Sequence, residues 1–275
     1  MAKRLKRVRA RLLNYEYLVP VPSRQDGPRV RAAKRAASSA AQQFMNLKNS
    51  WRQLELTTAE NFGSGDLVVT YTYDDAHLPL DKRAAGAQFQ KYLRQLRTAR
   101  RKTGQELRYI FVTEGFHEKR EDSFLGQDGH LEDRRIHHHA IINGTGPGDY
   151  EQLRSLWTGG GYLRIEPLDV HYYKELAKYL TKEAREFGKP KPGERTWRAS
   201  RKLRKYQVEY ELLPSDSVTL APPFGAVDYE LFGERNPYGY AAFVGARYLL
   251  YEEKDPGLSY THGRRQGHIP IHFQP

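Results

Sequence analysis

Between Leu67 and Phe187 the chain alternates β-rich runs with amphipathic ones, and this order constrains the fold more than any other feature of the sequence. LVVTYTY (Leu67 to Tyr73), LRYIFVTE (Leu107 to Glu114), RIHHHAII (Arg135 to Ile142) and GYLRIEPL (Gly161 to Leu168) read as strands. Ala87 to Lys102 reads as a helix, with Phe89, Tyr92, Leu93 and Leu96 as its apolar stripe and Gly104 as its stop. Asp149 is placed to cap a short helix through Trp157, and Asp169 to cap a longer one from Val170 to Phe187. Strand, helix, strand, strand, helix, strand, helix predicts an α+β fold, with a central, mainly antiparallel sheet flanked by helices. The 275 residues leave room for extensions around such a core.

Ala-rich helical character from Val30 to Leu56 predicts a helical N-terminal segment. Tyr206 to Leu213 and Tyr238 to Tyr251 are strand-like, but the architecture of that C-terminal region has no signature in the sequence. The expected organisation is a basic arm and helical extension over 1–60, a core domain over 61–188, and a basic linker with C-terminal extension over 189–275. KPKPG at Lys189 to Gly193 marks the second boundary.

The 45 Lys and Arg against 33 Asp and Glu give a formal charge of +12, which predicts a polyanionic partner, nucleic acid first. Most of the excess sits in residues 1–35. A second basic cluster, Arg185 to Lys205, interleaves Trp197 and Tyr206 with cations, a combination suited to single-stranded bases and phosphates. Arg198, Arg201, Lys202, Arg204 and Lys205 are its candidate DNA contacts; a solvated helix face is the plainer alternative. With no cysteine in the chain, thiolate metal sites and cysteine nucleophiles are excluded, so any metal must use His, Asp or Glu. A mean hydropathy of −0.79 and a basic N-terminus without an apolar core argue against a membrane span or secretory leader, and the expected location is the cytoplasm.

Side chains on a strand alternate faces, so His137 and His139 share one face and His138 points away. Two adjacent imidazoles with a carboxylate from a neighbouring strand can hold one divalent cation, and Glu114 is the best-placed donor. The Val170 helix offers a phenol: Tyr179 falls outside its apolar stripe, with Lys182 three positions on, although Tyr172 and Tyr173 compete.

Asn61 to Pro79, YIFVTEG (Tyr109 to Gly115), RRIHHHAIING (Arg134 to Gly144) and ELAKYLTKE (Glu175 to Glu183) together resemble the rolling-circle replication initiators of the HUH endonuclease superfamily, of bacterial plasmid, integrated-element or single-stranded DNA phage type. WRASRKLRK (Trp197 to Lys205) resembles a stretch that follows the nuclease core in those initiators. The resemblance implies His137 and His139 as metal ligands, Glu114 as the third, Tyr179 as nucleophile and Lys182 as its partner. His138 stands where the family has a hydrophobe. It further implies nicking and joining of single-stranded origin DNA, a hairpin as substrate, through a 5′-phosphotyrosine. Mn²⁺ or Mg²⁺ would be the cofactor, Mn²⁺ the tighter binder. GTGPGD (Gly144 to Asp149) lacks the lysine of a phosphate-binding loop, so a host helicase, with a host polymerase, is the expected partner. A relaxase or single-tyrosine transposase would share this chemistry. A metallohydrolase using activated water, or a non-enzymatic nucleic-acid-binding regulator, would not.

Overall fold

The computed structural model describes residues 3–20, 40–115, 124–125, 131–132, 135–182, 196–213, 219–235 and 241–250. In chain order the elements are β1 (Lys3–Ala10), β2 (Leu13–Pro20), α1 (Ala40–Asn61), β3 (Leu67–Tyr73), α2 (Lys82–Lys102), β4 (Tyr109–Glu114), β5 (Phe124–Leu125), β6 (Leu131–Glu132), β7 (His137–Ile142), α3 (Asp149–Leu156), β8 (Gly160–Pro167), a 3-10 turn (Val170–Tyr172), α4 (Tyr173–Tyr179), β9 (Arg198–Ala199), β10 (Gln207–Leu213), β11 (Ala226–Arg235) and β12 (Ala241–Leu250).

The expected α+β fold is present, with two five-stranded antiparallel sheets. The central sheet runs β8-β3-β7-β4-β9 and the second β10-β1-β2-β12-β11. Alternation divides the central sheet cleanly. Val69, Tyr71, Tyr73, Phe111, Ala140 and Ile142 face α2, whose Phe89, Tyr92, Leu93 and Leu96 cover them. Ile110, Val112 and Ile141 face the other way, into a core shared by α1, α4 and the inner side of the second sheet. Helices α1 and α4 therefore lie between two sheets, and buried apolar surface on both sides of that layer is the main force holding it.

Several local expectations shift. Helix α2 starts at Lys82 rather than Ala87, because the Asp81 carboxylate accepts from Ala84 N and captures the first turn. Asp149 does not cap α3: Gly148 is the N-cap, and the Asp149 carboxylate instead accepts from Thr145 and Gly146. Asp169 does cap, accepting from His171 N, but it opens a 3-10 turn followed by an α-helix that ends at Tyr179. Residues 183–187 of the expected longer helix lie outside the described residues, as does the boundary at Lys189 to Gly193.

At the ends of the chain, β1 and β2 occupy what reads in sequence as a basic arm. They form a hairpin at the middle of the second sheet, where β1 pairs with β10 and β2 with β12. The unassigned C-terminal strands thus find their partners at the opposite end of the sequence.

Candidate metal and nucleophile site

The site is built on strand register. Glu114 on β4 pairs directly with His137 on β7, Val112 pairs with His139, and Thr70 on β3 pairs with His139 from the other side. Directly opposed residues share a face and lie close together, so the carboxylate and both imidazoles converge on the α4 side of the sheet. His137 Nε2 lies 3.1 Å from His139 Nε2. Glu114 Oε2 is 3.7 Å from the first and 3.6 Å from the second.

Hydrogen bonding fixes the tautomers needed by a ligand. Arg135 O can only accept, so His137 Nδ1, 2.7 Å away, carries the proton and Nε2 keeps its lone pair. Thr70 Oγ1 lies 3.0 Å from His139 Nδ1 and, by accepting there, leaves His139 Nε2 in the same state. Burial, then the neighbouring His137, push the His139 imidazole well below its ordinary range, which keeps it neutral. Glu114 is 4% exposed, yet neither carboxylate oxygen has a hydrogen-bond partner.

Three electron-pair donors facing one another, with a buried carboxylate lacking donors, are unfavourable unless something positive stands between them. The three distances describe a triangle whose circumradius is about 2.0 Å, matching the usual bond from nitrogen or oxygen to Zn²⁺ or Mg²⁺. The donor set therefore fits a divalent cation, and these residues form a cluster capable of holding one.

His138 takes the opposite face. It is fully buried, stacks on Phe89 with ring centroids 4.3 Å apart, and meets the Tyr73 hydroxyl at 2.7 Å and Thr113 Oγ1 at 2.9 Å. The third histidine of the run is a core residue with both ring nitrogens engaged.

The phenols separate as clearly. Tyr173 is buried and its hydroxyl donates to Phe62 O at 2.6 Å, which anchors the start of α4 to the end of α1. Tyr172 is exposed. Tyr179, at the end of α4, is half-buried, with its ring centroid 5.0 Å from that of His139. Lys182 places its ammonium 4.3 Å from the Tyr179 ring centroid. Sequence periodicity put Tyr179 off the apolar stripe; the structure turns it partly inward, toward the histidines.

The expected DNA contacts divide. Arg198 lies on β9 opposite Phe111, and with Arg201 and Lys202 it lines a groove beside α2, on the sheet face away from the metal ligands. Arg204 is tied to the end of α1, its backbone exchanging hydrogen bonds with the Asn61 side chain while its guanidinium reaches Glu60 O at 3.2 Å. Lys205 is exposed. Sequence reading missed Thr70, whose signal was its alternation within LVVTYTY, and the α2 arginines across the groove. It also left TYDDAHLP without a physical role. There Asp74 accepts from the backbone N–H of His77 and lies 2.6 Å from its ring, while Asp75 pairs with Arg135, so the segment shapes the end of β3 beside the histidine strand.

Residues 66–184 match the family model for the replication-associated proteins of ORF2 type, a match that supports a replication-initiator role. The matched span runs from β3 through α4 and contains Glu114, His137, His139, Tyr179 and Lys182. No curated protein and no solved structure matches the chain.

Proposed function

We propose that the chain is a metal-dependent, single-stranded DNA endonuclease and strand transferase of the HUH type, which starts rolling-circle replication by forming a 5′-phosphotyrosine. The observation that carries this reading is the placement of a phenol and an ammonium group against the Glu114, His137 and His139 cluster. The family match supports the replication role, and the donor geometry supports the chemistry.

Glu114, His137 and His139 would hold Mn²⁺ or Mg²⁺, which supplies charge neutralisation and fixed geometry at the scissile phosphate. The Tyr179 oxygen attacks phosphorus, losing its proton as the new P–O bond forms. The P–O3′ bond breaks, and the leaving 3′-oxygen takes up a proton to become the hydroxyl that primes synthesis. The ester linkage conserves bond energy for rejoining. Lys182 supplies positive charge beside the phenol and favours its ionised form. Arg198, Arg201, Lys202 and Lys205 are exposed cations for the DNA backbone; Arg204 adds its charge from the α1 junction. The DNA would be an origin hairpin in a bacterial cell, with a host helicase and polymerase continuing the work. Among the described residues no helix is long and apolar enough to cross a membrane.

The test is cleavage of a labelled single-stranded oligonucleotide in Mn²⁺, resolved by denaturing electrophoresis, for the parent chain and Tyr179→Phe. The expected result is nicking by the parent and none by the variant, with DNA binding retained. Cleavage by Tyr179→Phe at the parent's rate would point to attack by water. Binding without cleavage by the parent would point to a regulator.

A further inference from the structure

The groove beside α2 has no part in the proposed chemistry, yet it gathers exposed cations on the central sheet's other side. Its volume is about 1060 Å³. From α2 it is lined by Arg94, Arg97 and Arg101, which recur at three- and four-residue spacing and therefore share one flank of the helix. From the β9 side it is lined by Arg198, Arg201 and Lys202. Among the described residues, Glu106 is the one acid in the lining. Arg198 spans the gap, its guanidinium lying 3.4 Å from where a side chain at Gly86 would begin.

Two rows of cations facing each other across a channel fit a phosphate backbone. The rings in the lining decide which nucleic acid. Phe111 is 2% exposed, and Tyr109 is half-buried under Arg97, whose guanidinium carbon is 5.8 Å from the ring centroid. A single-strand track needs open rings on which bases stack. This groove offers charge and covered rings, which suits a duplex held by its phosphates without base readout. The sheet separates it from the metal ligands, since Phe111 faces α2 and Glu114 faces α4.

We infer that the groove between α2 and the β9 segment binds double-stranded DNA by its backbone, anchoring the duplex beside the strand to be cut. The choice of DNA over another polyanion rests on the replication reading; the groove's charge does not.

The test is fluorescence anisotropy with a short labelled duplex and a single strand of equal length, titrated over a range of salt concentrations. The variants are Arg94→Gln/Arg97→Gln/Arg101→Gln and, as a control away from the groove, Arg83→Gln. For the triple variant we expect weaker duplex binding at low salt and a salt slope shallower by about 2–3, at about 0.9 per lost phosphate contact. Its melting temperature and Mn²⁺ titration should match the parent's, and Arg83→Gln should keep the parent slope. An unchanged duplex slope in the triple variant would overturn the assignment, as would a larger loss for the single strand than for the duplex. Failure of the nuclease reading would appear separately, as the absence of a DNA–protein adduct from the parent chain, and leaves this binding measurement intact.

Discussion

Three consecutive histidines do two different jobs because a strand offers its residues to two different environments. His137 and His139 face a carboxylate and a phenol; His138 faces Phe89, Tyr73 and Thr113. Substitution should therefore separate them. His137→Ala is expected to weaken Mn²⁺ binding at least about tenfold by calorimetry with little change in melting temperature, because His137 sits at the partly open side of the cluster. His138→Ala should instead cost about 3 kcal/mol of stability in denaturant unfolding, from a cavity against Phe89 and two hydroxyls left without partners. Equal effects of the two substitutions on metal affinity would mean the register is misassigned. The division was legible in the sequence because it needs only a period of two along one strand. Glu114 was legible for a related reason, as the end of an adjacent strand, whereas Thr70's hold on His139 depends on cross-strand register that no local pattern encodes.

At the scale of elements, the junction of α2 and α3 is held by a buried pair. Arg100, wholly buried, donates to Asp149 at 3.1 Å and to Asn143 O and Oδ1 at 2.9 and 3.0 Å. Burial alone would raise the Asp149 carboxyl, but hydrogen bonds from Thr145 and Gly146 and the charge of Arg100 outweigh it and hold the group below its ordinary value. A carboxyl depressed in the folded state stabilises above its unfolded value of about 3.9, and that contribution is lost as pH falls through the lower folded value. Asp149→Asn should therefore lower stability by about 3 kcal/mol at neutral pH, with the difference from the parent shrinking below about pH 4. A constant difference across that range would show that the charge is not what stabilises the junction. The sequence suggested a helix cap at Asp149; it could not show that an arginine at the end of the preceding helix would claim the same carboxylate. The α2 arginines posed a similar difficulty, since a basic helix flank looks solvated until β9 is laid beside it.

For the whole molecule, the least legible feature was the second sheet. In KRLKRVRA the apolar Leu5, Val8 and Ala10 are outnumbered by cations, and the partner of that strand, β10, lies some 200 positions away in the chain. Pairing at that separation leaves no local trace. What joins this sheet to the central core is a buried polar cluster: Glu55 on α1 accepts from the Tyr15 hydroxyl on β2 and from Arg247 Nε on β12, the latter at 2.7 Å. Arg247→Ala should lower stability by about 3–5 kcal/mol, because it strands a carboxylate that burial already pushes upward. The double variant Glu55→Gln/Arg247→Met should lose less than that single change in thermal unfolding. If the single variant is as stable as the parent, the cluster does not couple the sheet to α1.

The claim on which the account turns is that Tyr179 becomes bonded to DNA when the Glu114, His137 and His139 cluster is loaded. Parent chain incubated with single-stranded origin DNA in Mn²⁺, digested with protease and nuclease and mapped by mass spectrometry, should yield a nucleotide on the Tyr179 peptide, which disappears when EDTA replaces the metal. Cleaved DNA with no modified peptide, or an adduct that persists undiminished in EDTA, would contradict it.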